Sequence, residues 1–126
     1  MLSMFDKELV LEILGQISDA VDIALQRFEA VPDVSYFTDT PNGKEKLDSI
    51  CMLLIAIGES IKNIDKITNK TLLAGYPQVD WKAAKGMRDI VAHHYFDIDA
   101  EEIFFVCDMK LENLGRTMNK IRDELK

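Results

Sequence analysis

The 126-residue chain holds two cysteines, two histidines, three prolines and one tryptophan, and each scarcity closes off a class of function. Cys51 and Cys107 are far apart in the chain and form no C-x-x-C, so neither a disulfide framework nor a zinc site is indicated. Each sits in an apolar helical pattern, the setting of a buried thiol in a reducing compartment. With His93 and His94 the only histidines, an H-E-x-x-H zinc motif is excluded. Neighbours on a helix point about 100° apart, so the pair is also a poor metal clamp. The six glycines are scattered, giving no P-loop and no G-x-G-x-x-G. None of the few serines lies in a nucleophile elbow. No apolar run approaches the roughly 20 residues that a membrane-spanning helix needs. Residues 1–7 include Asp6 and lack the basic region and apolar stretch of a secretory leader, so the expectation is a cytoplasmic chain without membrane contact.

A basic excess is missing too. Fifteen Lys and Arg face twenty-two Asp and Glu, a net charge of −7. Proteins that grip nucleic acid without sequence preference are usually basic, because neutralised phosphates supply most of that affinity. Any contact with RNA therefore needs a localised basic cleft, for which Lys82, Lys85 and Arg88 are the candidates.

Hydrophobic residues are plentiful at 48%, enough for one packed core, and the length fits a single domain over residues 1–126. Four long helical patterns fill it. In the first, from about residue 4 to 29, Phe5, Leu9, Ile13, Ile17, Val21, Leu25 and Phe28 recur at steps of three and four until Pro32 intervenes. Residues 33–40 read as a loop. Thr40-Pro41 then gives an N-cap followed by proline at the first helical position. Leu47, Ile50, Leu54, Ile57, Ile61 and Ile64 carry that second helix to about Thr68. Asp80 caps a third, running from Trp81 to about His93. Asp99, with Glu102 three residues on, caps a fourth along Ile103, Cys107, Leu111, Leu114, Met118, Ile121 and Leu125. Such stripes bury against one another, so the predicted fold is all-α, an up-and-down four-helix bundle with room for an extra short helix. The acidic run over residues 97–102 reads as helix capping in preference to Mg²⁺ ligation, since carboxylates are favoured at a helix start.

Chemistry concentrates in residues 87–96, MRDIVAHHYF. Arg88 suits a bidentate hold on phosphate and stays charged at any relevant pH. Histidine is the kind of side chain that ordinarily titrates near neutrality, so His93 suits proton transfer. Asp89 lies four residues before His93, on the same helical face, where a carboxylate orients the ring. Arg88 and His93, five apart, stand about 140° from one another on an ideal helix. Convergence requires a loosened helix, a wrapped arginine or two subunits. Spacing alone also allows a plain reading: solvated Arg88 and Asp89, a dipole-favoured His93, an exposed His94, and Tyr95-Phe96 as packing residues.

Arg88-x-x-x-x-His93-x-Tyr95 resembles the R-x(4)-H-x-Y motif of the HepT-like branch of the HEPN family. The flanks resemble it as well: Trp81, Gly86-Met87-Arg88, Tyr95-Phe96-Asp97-x-Asp99, and Ile57-Gly58-Glu59 in the second helix. With the helix order, the resemblance covers nearly the whole chain. It implies a homodimer with the Arg and His of both subunits around one cleft. It further implies a metal-independent ribonuclease, needing no cofactor, that cuts tRNA or mRNA as the toxin of a type VII toxin–antitoxin pair. The implied antitoxin is a minimal nucleotidyltransferase that transfers AMP to Tyr95. Arg88 and His93 are then catalytic, with Asp89 and His94 supporting. Two departures stand out. Asp89 occupies a position commonly Asn in the family, and its charge weakens phosphate attraction. His94 replaces a small residue and is expected to face solvent. The alternative function is a non-catalytic dimeric module that binds nucleotide or RNA for a nucleotidyltransferase partner, a reading favoured by the net acidity.

Overall fold

The computed structural model describes residues 6–93 and 95–126, leaving aside the side chains of Ile90, Ala92, His93 and Tyr95. Among the described residues the only regular structure is helical, without strands: α1 (Lys7–Phe28), α2 (Val34–Asp39), α3 (Pro41–Ile67), α4 (Trp81–His93), α5 (Ala100–Phe105) and α6 (Leu111–Leu125). Single 3₁₀ turns lie at Leu73–Gly75 and Tyr95–Asp97. The fourth predicted helix is one rod interrupted by a π turn, Val106–Lys110, between α5 and α6.

The start signals work as polar side chains satisfying unpaired backbone N–H groups. Asp6 accepts from the Leu9 amide, Thr40 from Gly43, Asp80 from Ala83 and Asp99 from Glu102, all at 2.9–3.2 Å. The acidic run at the start of α5 is therefore a cap.

Residues 33–40 correct the expectation of a loop. Asp33 accepts from the Tyr36 amide at 3.1 Å and from the Ser35 hydroxyl at 2.6 Å, opening the six-residue α2 and sending Phe37 into the core, fully buried. Those two bonds hold the Asp33 carboxyl below its usual range. Six residues make less than two turns, too few for a periodicity to register. The join to α3 requires glycine. A Cβ on Gly43 would stand 1.5 Å from the Tyr36 carbonyl oxygen.

Helix α1 packs on α3 and α6, and α4 packs on α3. The predicted stripe of α3 is buried without exception, from Leu47 to Ile64. The stripe of α1 is rotated from the expected one. Val10, Leu14, Ile17, Val21 and Ala24 are buried, whereas Leu9 is 41% exposed and Ile13, Leu25 and Phe28 are half-buried. Phe5, the expected first member of that stripe, lies outside the described residues. A helix covered from two sides buries a band wider than one apolar stripe, so the band need not be centred on the stripe that periodicity picks out. Gly115 of α6 sits against Val21, where a Cβ would meet the valine side chain at 3.0 Å, and Ser18 donates to Asn119 across the same contact. Between α4 and the α5–α6 rod an apolar groove of about 260 Å³ remains, lined in part by Ala84, Met87, Phe105, Val106 and Leu114.

Both cysteines are buried, and desolvation pushes each thiol up to about 12. The expectation of inert core thiols holds. No helix is long and apolar enough to cross a membrane, among the described residues.

Candidate active site

The motif is carried by α4, and three contacts fix that helix against α3. At Gly58 the two backbones come close. A Cβ there would lie 3.1 Å from the Arg88 nitrogen, 3.3 Å from the Arg88 Cβ and 3.3 Å from the Lys85 carbonyl oxygen. To one side of this approach Arg88 Nε donates to Glu59 Oε1 at 2.7 Å. To the other, Lys85 Nζ donates to the mostly buried Asp65 at 2.7 Å. Beneath them Met87 and Val91 reach the core. The entry to α4 is also tied down: the Trp81 indole donates to the Tyr76 carbonyl, and the Asn113 amide to that of Gln78, both at 2.9 Å.

Arg88 is thereby oriented and still reachable. Its side chain is 41% exposed, with Nε taken by Glu59 and one terminal nitrogen donating to Asp89 Oδ1 at 3.2 Å. A guanidinium carries five N–H donors, so both bonds leave donors for a phosphate. Asp89 is in turn 3.9 Å from the Lys62 ammonium. Arg88, Lys62, Glu59 and Asp89 thus form an alternating cluster whose charges cancel. The charge of Asp89, a departure from the family pattern, is compensated by Lys62, a residue that sequence reasoning passed over.

Where the remaining motif side chains point lies outside the described residues. The α4 backbone ends at His93 and a 3₁₀ turn begins at Tyr95, but the side chains of both, and His94 entirely, belong to the part left aside. The supporting roles expected of Asp89 toward His93, and of His94, therefore stay expectations. Among the described residues the ion-pair partners of Asp89 are Arg88 and Lys62. Phe96 is fully exposed, where the plain reading expected a packing residue. Among the described residues no group of three His, Cys, Asp or Glu is placed to hold a metal.

Glu59 is the contact of Arg88 that pattern reading did not foresee. It is visible in the sequence as the third letter of Ile57-Gly58-Glu59, and the fold gives each position a physical task. Ile57 fills the core, Gly58 admits α4, and Glu59 holds Arg88.

A family model described as ribonuclease HepT-like matches residues 11–121. Two proteins of Methanocaldococcus jannaschii, each provisionally named an RNase, are similar in sequence. One is 35% identical over 78 residues, covering 61% of this chain and 60% of its own length. The other is 27% identical over 84 residues, covering 67% and 69%. The match thus spans about three-fifths of the first relative. No solved structure matches. With the family model spanning nearly the whole chain, and the motif arginine held at the α3–α4 contact, this chain belongs to the HepT-like ribonuclease family.

Proposed function

We propose that the protein is an endoribonuclease that works without a metal ion, with Arg88 and His93 as its catalytic residues. The observation that carries this reading is the Arg88 guanidinium, braced by Glu59 at 2.7 Å yet exposed with donors to spare, on the helix that ends at His93. In this reading His93 takes the proton of an RNA 2′-hydroxyl. The oxygen attacks the adjacent phosphorus, and the bond to the 5′-oxygen breaks. The products are a 2′,3′-cyclic phosphate and a 5′-hydroxyl, the leaving oxygen taking up one proton. Arg88 stabilises the negative charge that builds on the phosphoryl oxygens, a preorganised interaction worth about 3–4 kcal/mol in comparable sites. Imidazole and guanidinium between them perform the proton transfer and charge stabilisation that the reaction needs.

A homodimer fits this chemistry. Two α4 helices facing one another supply one histidine as base and the second as acid, and bring an arginine to each histidine despite the angle of about 140° within one helix. Tyr95, two residues beyond His93, is the site of control in the family resemblance. Its hydroxyl oxygen attacks the α-phosphorus of ATP on a nucleotidyltransferase antitoxin, and pyrophosphate leaves. The resulting AMP phosphate adds negative charge near Arg88 and competes with RNA. Together these steps describe the toxin of a type VII toxin–antitoxin pair acting on tRNA or mRNA.

The second reading, a non-catalytic module that binds nucleotide or RNA for a nucleotidyltransferase, has one observation in its favour: two carboxylates already engage Arg88. Purified protein incubated with RNA in EDTA separates the two. The ribonuclease reading expects cleavage by the wild type and none by His93→Ala of unchanged circular dichroism. Intact RNA in both samples selects the binding module.

A further inference from the structure

The acidity of the chain is not spread evenly. An open groove of about 570 Å³ between the end of α3 and the start of α4 is lined by Lys62, Lys66, Lys70, Lys82 and Lys85. That is five of the chain's eleven lysines, against only two carboxylates on the same lining, Asp65 and Asp89. Asp65 is engaged by Lys85, and Asp89 by Lys62 and Arg88. Lys66, Lys70 and Lys82 have no carboxylate partner among the described residues, so the groove holds an excess of three positive charges in a molecule of net −7.

Its backbone is unusual at one end. Helix α3 closes with two successive non-glycine residues in the left-handed region, Asn69 at φ 53° and Lys70 at φ 60°. Asparagine tolerates that conformation, but lysine is disfavoured there, where glycine is unstrained. The Lys70 amide donates to the Asp65 carbonyl at 2.8 Å, and its side chain lines the groove. Backbone strain of this kind is a pointer to function, and here it sits at a residue that lines the groove.

We propose that this groove binds the phosphate backbone of the RNA strand that flanks the cleaved bond. The inference rests on the ribonuclease reading and names the surface that serves it. Continuity carries the argument. Lys85, Gly86 and Asp89 line the groove and bracket Arg88 on α4, so a strand whose phosphate sits at Arg88 leads directly into it. Lys62 and Lys66 stand on successive turns of α3, about 6 Å apart along the axis, a spacing suited to successive phosphates of an extended strand. Ammonium groups on flexible stems contact phosphates without reading bases, so the groove supplies affinity and no sequence preference.

The test uses K66Q/K70G/K82Q beside a control of equal charge, K44Q/K46Q/K120Q, with a fluorescent single-stranded oligoribonucleotide as probe. In a His93→Ala background, anisotropy titrations over a range of salt should show log affinity against log salt flattening by about 2 for the groove variant, at about 0.7 per phosphate contact. The control should keep the wild-type slope. With His93 present, the groove variant should raise KM on the order of tenfold, most of the loss falling on KM and little on kcat. Lys70→Gly alone should bind less tightly while melting no lower than wild type, which separates lost binding from misfolding. Unchanged slope and KM in the groove variant would overturn the proposal, even if the wild type cuts RNA well. A flattened slope in a protein that cuts no RNA would uphold the groove and sink the ribonuclease reading. Loss of capture of a co-expressed nucleotidyltransferase, with RNA binding intact, would make the groove a protein-docking site and overturn the proposal as well.

Discussion

Arg88 sits in a balance of charges that a motif search does not see. Glu59 accepts from its Nε at 2.7 Å and Asp89 from a terminal nitrogen at 3.2 Å, and all three side chains are about half exposed. Water and salt screen such pairs, so their stabilisation is under about 1 kcal/mol. In the proposed reaction their value is geometric: the guanidinium plane is set before a phosphate arrives, which lowers the cost of ordering it. Glu59→Gln tests this as a positioning role. Melting should shift by no more than about 2 °C. In steady-state cleavage kcat should fall on the order of tenfold while KM stays level or drops, because a negative charge near the phosphate has gone. A rise in KM at constant kcat would show that Glu59, by orienting Arg88, serves only substrate binding. Arg88, His93 and Tyr95 were legible as letters at fixed spacing. Glu59 was legible only as a letter of Ile57-Gly58-Glu59, and its contact, like that of Lys62, was not, because both depend on which faces of two helices, some thirty positions apart in the chain, lie together.

Helices were legible where polar caps and long apolar periods agree, as along α3, whose predicted stripe is buried throughout. The sequence said less where packing decides. Nothing local shows that α1 is covered from two sides, so its buried band is displaced from the predicted one. Helix α2 is too short to display a period, and the π turn at Val106–Lys110 keeps the apolar pattern in register without announcing itself. Gly58 gives the element scale its sharpest test. Alanine there gains about 1 kcal/mol of helix propensity. It must, however, push α4 away from contacts at 3.1–3.3 Å, at an overpacking cost of about 1–3 kcal/mol. The net expectation for Gly58→Ala is a melting temperature lower by a few degrees in calorimetry. The accompanying loss of cleavage, on the order of tenfold, should exceed what the population of unfolded protein explains. A Gly58→Ala variant as active as wild type would mean that the close approach of α3 and α4 does not set the site.

Across the whole molecule, the formal charge of −7 predicts weak attraction to RNA, while the fold gathers five lysines into one groove beside the motif. Composition gives the sum and only the fold gives the distribution. The interior is apolar around both thiols, and this has a consequence for stability against pH. In the unfolded chain a cysteine ionises near its ordinary 9.0, whereas Cys51 and Cys107 are held protonated up to about 12. A raised folded-state value means that full stability persists below about 9 and is lost progressively as pH climbs toward about 12. Denaturant midpoints measured through that range should fall for the wild type, and the fall should be shallower in a Cys51→Ala/Cys107→Ala protein after allowing for its lower starting stability.

The central claim is that Arg88 and His93 cut RNA through attack by its own 2′-hydroxyl. The most direct measurement is the chemistry of the fragment ends when purified protein acts on RNA in EDTA. The account predicts 2′,3′-cyclic phosphate and 5′-hydroxyl ends from the wild type, and no cleavage by His93→Ala or Arg88→Ala proteins that melt normally. Fragments ending in a 3′-hydroxyl, or undiminished cleavage by either variant, would contradict it.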